Sequence, residues 1–312
     1  MKILITGASG YVGSVLTNYL LSKKFKVIAM DTQWFGINLK KHKNLKIIKK
    51  DYREINNNDL KKVDSIIHLA NIANDPGAEL NPQLSWNINV LGTMGLLELC
   101  KKNKIKQFIY ASSGSVYGIK KERKVTEDLS LLPISLYNKT KMIAERILMS
   151  YSKDMKIHII RPATVCGFSK RLRLDVSVNM LTYQALKFKK ITVLGGKQIR
   201  PNLHIQDMVR IYYHFLKNKK IPNGCYNAGF ENTSIIDLAK KIQKKLNCKI
   251  IIKKSNDPRS YRLNSDKLIK TGFKQKYFIE DGINELIKNL KLKKVNKNNF
   301  TVQKMKDLNL DS

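Results

Sequence analysis

The chain has 312 residues, 43% of them hydrophobic, with 59 lysines and arginines against 24 aspartates and glutamates and a formal net charge of +35. This length and apolar content predict one large α/β domain or a domain with a smaller lobe, because so long a chain exceeds what a single core usually holds. No apolar run approaches the ~20 residues of a membrane span, and the N-terminus enters a strand rather than a cleavable signal. We therefore expect a cytoplasmic protein without a membrane partner.

The excess of basic residues raises nucleic acid as a partner. The lysines, however, are spread over nearly every polar segment together with abundant Asn and Ile, and no cluster interleaves them with aromatic residues. A diffuse charge of this kind attracts polyanions without specificity, so we expect no specific nucleic-acid partner. A diphosphate substrate would also benefit from such a field.

The four cysteines are far apart and lack the C-x-x-C spacing of zinc sites and disulfide frameworks: Cys100, Cys166, Cys225 and Cys248. We interpret them as small buried hydrophobic residues, and no metal site is predicted.

The first predicted elements are a strand over the apolar run 3–5, a glycine-rich turn and a helix. Gly7, Gly10 and Gly13 lie at a spacing that lets the chain turn tightly, the backbone approach a pyrophosphate and the helix pack closely on the sheet. The N–H groups at the helix start would face the phosphates. A second strand, 26–30, stops at Asp31, whose distance from Gly13 fits the carboxylate that binds an adenosine ribose.

Strands and helices then alternate along the chain. Apolar runs predict strands over 45–48, 65–70, 108–113 and 157–160, and helical spacing predicts helices over 84–102 and 137–151. Alternation of this kind over about 160 residues predicts a parallel sheet covered on both faces.

The second half of the chain has a less regular rhythm. Short strands are predicted over 191–194 and 249–252 and a helix over 234–246, which indicates a smaller lobe. We expect residues 1–165 to form a dinucleotide-binding domain onto which 203–228 fold back, and 166–290 to form a substrate lobe. Residues 291–312 are rich in Lys and Asn and are expected to be a loosely ordered basic tail.

A second motif contains the candidate catalytic residues. Tyr137 and Lys141 lie four residues apart on a predicted helix, so both side chains project from one face. A phenol with a pKa of ~10 is a poor base at neutral pH, and a neighbouring ammonium or a cationic nicotinamide would favour the phenolate. The serines of 112–115 place hydroxyls at the carboxyl end of the fifth strand, where ligands bind in open α/β sheets. Either motif alone also fits a solvated helix face or an ordinary turn, whereas together with the glycine turn they indicate an active site.

These motifs resemble those of the extended short-chain dehydrogenase/reductase superfamily, in its nucleotide-sugar epimerase/dehydratase group. The resemblance covers nearly the whole length, from the glycines of 7–13 to the segment 257–262. It implies a Rossmann-type doubly wound parallel sheet with a smaller C-terminal α/β substrate lobe. It also implies NAD as cofactor, a nucleotide-diphosphate sugar as substrate and a homodimer.

The resemblance also assigns residues. Ser113, Tyr137 and Lys141 would be the catalytic triad, Ser113 because it stands four residues before Tyr117 in the serine-rich motif. The cofactor would be bound by Gly7, Gly10, Tyr11, Val12, Gly13, Asp31, Asp51, Tyr52, Leu69, Ala70, Asn71, Asn89, Tyr137 and Lys141. The substrate would be bound by Ser113 and, at its diphosphate, by Asn179, Arg200 and Arg259. Arginine suits phosphate because its planar fork binds two oxygens at once.

Two departures from the family pattern narrow the chemistry. The related 4,6-dehydratases carry Asp and Glu directly after the catalytic hydroxyl, where this chain has Gly114 and Ser115. Several 4-epimerases carry an asparagine where this chain has Thr164, which puts a simple hexose 4-epimerase in doubt. Arg171 and Arg173 begin a segment that could line a sugar pocket instead.

The sequence therefore predicts an NAD-dependent nucleotide-sugar epimerase acting through a transient keto intermediate in the synthesis of surface-polysaccharide or lipopolysaccharide sugars. The alternatives are a 4-keto-sugar reductase, a 4,6-dehydratase and a cofactor-binding protein without catalysis.

Overall fold

The fold is built around a parallel sheet that runs through the first half of the chain and takes one strand from the second. The computed structural model describes residues 1–255, 260–292 and 295–311. The strands are β1 (Lys2–Thr6), β2 (Lys26–Asp31), β3 (Leu45–Lys49), β4 (Ser65–His68), β5 (Gln107–Ala111), β6 (Lys156–Pro162), β7 (Thr164–Cys166), β8 (Lys190–Leu194), β9 (Ile199–His204), β10 (Gly224–Ala228), β11 (Glu231–Ser234) and β12 (Lys249–Lys253). The helices are α1 (Tyr11–Ser22), α2 (Asn57–Leu60), α3 (Asp75–Leu80), α4 (Pro82–Trp86), α5 (Thr93–Lys102), α6 (Leu136–Ser150), α7 (Ser177–Phe188), α8 (Ile205–Lys217), α9 (Ile235–Leu246), α10 (Asp266–Lys270), α11 (Ile279–Leu292) and α12 (Thr301–Asp307).

Within the described residues the main sheet has seven strands in the order β10-β6-β5-β4-β1-β2-β3, and every pair is parallel. The order reverses at β1 and β4, which creates the crevice where ligands of doubly wound folds bind. The prediction of a Rossmann-type doubly wound sheet is confirmed.

Helices cover both faces of this sheet, which explains the continuous apolar runs of its strands. Ile3 and Ile5 pack in one buried cluster with residues of α1 and α8, whereas Leu4 between them packs in a second cluster with residues of α5 and α6. Alternate residues of a strand point to opposite faces, so an apolar run buries itself on both sides.

The helix predicted over 84–102 is interrupted. A π turn, Asn87–Gly92, separates α4 from α5, and the Ile88 carbonyl in this turn accepts a hydrogen bond from the Tyr52 hydroxyl. Turns of this type often occur at functional sites, and Ile88 here forms part of a cavity wall.

The smaller C-terminal α/β lobe is also confirmed. It contains a three-stranded sheet in the order β11-β9-β7 and a pair, β12-β8. Its own apolar core is formed by residues such as Val178, Leu181, Ile191, Leu238 and Ile283. The division into units 1–165, 166–290 and 291–312 remains our proposal, with β10 and α8 of the segment 203–228 packed on the main sheet.

The expectation of a loosely ordered tail is wrong for residues 295–311. A 3₁₀ turn, Lys297–Asn299, and α12 fold back over the molecule, and Asn299, Thr301 and Met305 are buried. Composition suggested disorder because lysine and asparagine dominate this segment, but the few residues that pack are enough to hold it. Across the described ranges, no helix has the length and apolar content to span a bilayer.

Candidate active site

A cavity of about 610 Å³ opens at the carboxyl ends of β1, β2, β4 and β5, between the main sheet and the lobe. It is lined by most of the predicted site residues, namely Gly7, Gly10, Tyr11, Val12, Gly13, Asp31, Asp51, Tyr52, Leu69, Ala70, Asn71, Ser113, Tyr137, Lys141 and Arg200. The tertiary structure thus brings together side chains from segments far apart in the sequence.

The glycine-rich turn forms the floor of this cavity. Gly7 has φ +72°, and a Cβ there would lie 2.6 Å from the Ala70 nitrogen. A Cβ on Gly13 would lie 2.1 Å from the Gly7 carbonyl oxygen. Both positions therefore require glycine, and the start of α1 is brought close enough to offer its N–H groups to an anion in the cavity.

Asp31 stands at the end of β2 on the cavity wall. Its carboxylate accepts hydrogen bonds from the backbone N–H groups of Ser9 at 2.9 Å and Gln33 at 2.6 Å. Burial raises the pKa of Asp31, while these two bonds and the charge of Arg171 act in the opposite direction. The two bonds thereby hold the carboxylate in place on the cavity wall.

The two residues on the predicted adenine side, Asp51 and Tyr52, already bind other groups of the protein. The Asp51 carboxylate binds the guanidinium of Arg53 at 2.7 Å, which holds the pKa of Asp51 low against the effect of burial. The Tyr52 hydroxyl is bound to Ile88, so the ring rather than the hydroxyl lines the cavity.

Asn89 is not a direct contact to the cavity, contrary to expectation. It is fully buried behind the wall, where its amide binds the backbone N–H of Ile72 at 2.9 Å, the Ile72 carbonyl at 3.2 Å and the Thr140 hydroxyl at 3.1 Å. Asn89 therefore positions the loop after β4, including Asn71, whose amide oxygen faces Lys141 Nζ at 3.2 Å in its better-bonded orientation.

The predicted catalytic residues converge at the end of β5. Tyr137 and Lys141 project from one face of α6, and Ser113 caps the 3₁₀ turn Gly114–Tyr117 beside them. The Ser113 hydroxyl lies 2.6 Å from the Ser115 hydroxyl and also hydrogen-bonds Tyr137. Lys141 Nζ donates to the Ala111 carbonyl at 2.5 Å.

A buried ion pair fixes α6 against β5 and β6. Glu145, one turn after Lys141, accepts three hydrogen bonds from Arg161, the shortest at 2.7 Å, and one from the Ser112 hydroxyl at 2.5 Å. Both charged side chains are almost inaccessible to solvent, so each satisfies the other. The network sets the spacing between the helix that carries Tyr137 and the strand that leads to Ser113.

The groups that set the pKa of Tyr137 in this structure do not include Lys141. The pKa of Tyr137 is raised to about 12, chiefly by burial; the charge of Arg173 is the largest influence that lowers it, and the charge of Asp75 raises it. Burial also lowers the pKa of Lys141 to about 7. Because both groups are desolvated and the ammonium is bound to Ala111, the pair does not by itself favour the phenolate.

Two arginines of the segment 171–175 line the cavity, as the sequence suggested. Arg173 pairs with Asp175 at 2.9 Å, and Asp175 also accepts a hydrogen bond from Asn74 at 2.7 Å. Burial alone would raise the pKa of Asp175, but Arg173 overrides it and the pKa falls to about 2. Arg171 lies with its guanidinium 4.0 Å from the centre of the Phe35 ring.

Sequence reasoning did not assign several residues of this wall, among them Asn74, Asp175, Thr301 and Met305. Asp175 could have been noticed as an acid two residues after Arg173. Nothing in the spacing of Thr301 or Met305 indicates that they return to the cavity.

Asn179 does not reach the cavity, which corrects its assignment to the substrate. It is fully buried, and its amide binds the Gly167 N–H at 3.0 Å, the Tyr11 hydroxyl at 3.1 Å and the Arg173 carbonyl at 2.8 Å. It therefore holds the loop before α7. Arg200, on β9, lines the cavity, whereas Arg259 lies outside the described residues.

The site fits a dinucleotide. The glycine floor leaves no space for a Cβ and offers a helix start, while Asp31 supplies a fixed acceptor. Within residues 1–255, 260–292 and 295–311, no group of three His, Cys, Asp or Glu side chains is arranged to hold a metal ion.

Comparisons with known proteins show the family of the chain. The model of a family described as "NAD dependent epimerase/dehydratase family" matches residues 3–229. The Bacillus subtilis protein named "Uncharacterized UDP-glucose epimerase YtcB" is 36% identical over 227 residues, 67% of this chain and 71% of that protein. The dTDP-D-glucose 4,6-dehydratase of Dictyostelium discoideum is 33% identical over 273 residues, 77% of this chain and 61% of that protein.

Among solved structures, the UDP-glucuronic acid 4-epimerase of Bacillus cereus in complex with UDP-glucuronic acid and NAD is similar, with a TM-score of 0.84 and 29% identity. The match covers 93% of this chain and 100% of that one. The relatives thus include both epimerases and a dehydratase. The chain belongs to the NAD-dependent epimerase/dehydratase family, enzymes that act on nucleotide sugars with NAD as cofactor.

Proposed function

We propose that the protein is a nucleotide-sugar epimerase that oxidises one sugar hydroxyl to a ketone and reduces it again from the other face. The observation that carries the proposal is the pair Gly114 and Ser115 beside the convergent Ser113, Tyr137 and Lys141. Dehydration needs a positioned acid and base in addition to the redox groups, and neither Gly114 nor Ser115 offers an ionisable side chain.

Two carboxylates of the cavity wall have other partners. Asp175 is paired with Arg173, and Asp75 accepts a hydrogen bond from the Ser135 hydroxyl at 2.6 Å at the start of α6. The Ser115 hydroxyl is engaged by Asn138. These contacts support a site in which Tyr137 is the principal proton acceptor.

The residues would act as follows. The Tyr137 hydroxyl oxygen takes the proton of the sugar hydroxyl and later returns it, while the Ser113 hydroxyl binds the same sugar oxygen. NAD, when bound, accepts the hydride of the oxidised carbon and contributes a positive charge near the phenol. Arg173 assists by lowering the pKa of Tyr137. Oxidation and reduction then balance within one turnover, so no net reductant is consumed.

The arginines suggest how the substrate is held. Arg200 on β9 and Arg173 line the part of the cavity that faces the lobe, where guanidinium groups are suited to the oxygens of a diphosphate or a sugar acid. We place the substrate among nucleotide-diphosphate sugars of surface-polysaccharide or lipopolysaccharide synthesis, and we place the reaction in the cytoplasm.

We also propose a homodimer, as the resemblance implied. Leu91 and Met94 lie on neighbouring turns next to the start of α5 with 54% and 43% of their surface exposed, which supports an apolar contact there. Light scattering of the purified protein at two concentrations would show a mass of two chains, and a mass of one chain would exclude the dimer.

The test of the function is product mass and cofactor balance. The purified protein is incubated with UDP-glucose, UDP-glucuronic acid, UDP-N-acetylglucosamine and dTDP-glucose in separate reactions. We expect an isomer of unchanged mass from at least one of them, without net accumulation of NADH. A product lighter by one water would show a dehydratase, and consumption of NADH on a keto-sugar in proportion to product would show a reductase. Tyr137→Phe protein serves as the inactive control.

A further inference from the structure

We propose that residues 295–311, here called the C-terminal strap, close the NAD-binding side of the cavity, and that Thr301 is the positioning residue through which the strap retains NAD. The inference goes beyond the proposed function, because it concerns the cofactor and holds for an epimerase, a reductase or a dehydratase.

The strap is anchored first at Asn299. The side-chain amide of Asn299 donates to the Leu172 carbonyl at 3.2 Å, and the backbone carbonyl of Asn299 accepts the Leu174 N–H at 2.9 Å. Asn296 caps the short turn in which Asn299 lies, so the turn is fixed by its own hydrogen bonds as well. These bonds attach the strap to the segment that carries Arg171 and Arg173.

Thr301 is the next attachment, one turn further along. Its hydroxyl oxygen accepts a hydrogen bond from Arg171 Nη2 at 3.1 Å. The same hydroxyl donates a hydrogen bond to the Asp175 carboxylate, which helps to lower the pKa of Asp175. Thr301 is 4% exposed and lines the cavity. One hydroxyl therefore joins a cation and an anion that both belong to the cavity wall.

Arg171 connects Thr301 to Phe35 and Asp31 on the proposed cofactor side of the cavity. Its guanidinium lies over the Phe35 ring, and its charge acts on Asp31, the predicted ribose acceptor. Arg171 is itself buried, at 4% exposure, so holding its charge there requires the hydrogen bonds that Thr301 and the Leu172 carbonyl supply.

Met305 closes the other edge. It is 2% exposed, lines the cavity and belongs to the apolar cluster that contains Ile72 and Ala78. Its sulfur lies 3.4 Å from the place that a Cβ on Gly77 would occupy, so α12 fits closely against α3. A dinucleotide held by the glycine turn and Asp31 would then leave only after the strap or the segment 171–175 had moved.

The experiment measures NAD exchange and does not depend on turnover. Protein loaded with isotopically labelled NAD is diluted into excess unlabelled NAD, and the label that remains bound is followed over time by rapid filtration. We expect Thr301→Val to release NAD at least about tenfold faster than the unaltered protein, because a hydrogen bond to a charged group is lost. Thr301→Ser keeps the hydroxyl and should restore slow release, which a general loosening of packing would not do.

Two further variants complete the test. Met305→Ala should also accelerate the release of NAD. If Thr301→Val does not fold, the proposal is tested with Met305→Ala alone. Lys306→Ala changes an exposed residue of the same helix and should release NAD at the unaltered rate. Release from Thr301→Val and Met305→Ala at the unaltered rate would overturn the proposal, whatever sugar the enzyme converts.

Discussion

Lys141 Nζ lies 5.7 Å from the centre of the Tyr137 ring, although the two residues share one face of α6. The ammonium is bound to the Ala111 carbonyl instead, at 2.5 Å. The spacing of four residues thus places both groups in the cavity but does not join them. The pKa of the phenol consequently depends on burial and on charges from other segments, Arg173 and Asp75 among them.

Tyr137→Phe should abolish most of the turnover and leave the cofactor in place. If the phenol oxygen accepts the substrate proton, its removal should lower turnover by ~100-fold or more, the usual scale of general acid–base catalysis. NAD affinity, measured by calorimetry, should stay within about threefold. Tyr19→Phe, on the outer part of α1, is the matched control. Turnover retained by the Tyr137 variant would assign the proton transfer to another group.

Arg173→Met and Asp75→Asn should shift the pH dependence of turnover in opposite directions. Arg173 lowers the pKa of Tyr137 and Asp75 raises it, so loss of the arginine should raise that pKa and loss of the carboxylate should lower it. Because activity rises as Tyr137 loses its proton, the acid limb of the kcat profile should move to higher pH in the first variant and to lower pH in the second. Arg146→Met, on the exposed face of α6, should leave the limb in place. Shifts of the same sign in the two cavity variants would contradict this electrostatic account.

Lys141→Met should stabilise the protein, and more so at low pH. Burial lowers the pKa of Lys141 to about 7, below the ~10.4 of a lysine in the unfolded chain. Between these values the unfolded chain binds more protons, so the stability of the unaltered protein rises with pH and the cost of burying the ammonium is greatest below about pH 7. The variant removes this cost, which we expect to be ~2 kcal/mol or more.

The measurement is the difference in melting temperature between variant and unaltered protein at about pH 6 and about pH 10. The difference should be positive at the lower pH and should shrink at the higher one. Lys139→Met, on the exposed side of the same helix, should show no such trend. A difference that is equal at both pH values would mean that Lys141 is not desolvated as the structure shows.

Asp31→Ser should weaken the preference for NAD over NADP. The Asp31 carboxylate repels a 2′-phosphate and accepts hydrogen bonds from a free ribose, so we expect the preference to narrow by at least about tenfold. Calorimetric titrations with both cofactors would measure it, with Asp266→Ser on α10 as control. Tighter binding of NADP than of NAD by the unaltered protein would refute the role given to Asp31.

Local sequence patterns were sufficient to predict the strands of the central sheet, the glycine-rich turn and the helix face that carries Tyr137 and Lys141. The apolar runs around Ile3, Val27 and Ile66 bury themselves on both faces of the sheet, so their hydrophobicity alone marks them as strands. The glycine spacing and the pair Tyr137 and Lys141 are also local, because one turn or one helix face defines each.

Other assignments failed because burial and partners are properties of the folded chain. Asn89 and Asn179 have amides that could serve a ligand, but both bind backbone groups that lie 17 and 12 residues away and hydroxyls of other segments. The pKa of Tyr137 likewise depends on Arg173 and Asp75, which only folding brings near it.

The sequence by itself therefore determined the fold class, the glycine-rich turn that lines the cavity and the face of α6 that carries Tyr137 and Lys141. Only the tertiary structure decided which polar residues face the cavity, what charge surrounds Tyr137, and that Thr301 and Met305 return to line the cavity. The physical reason is the distance along the chain over which each interaction acts. Periodicity and turn chemistry involve residues a few positions apart, whereas Thr301 and Arg171, which are hydrogen-bonded, are 130 positions apart in the sequence.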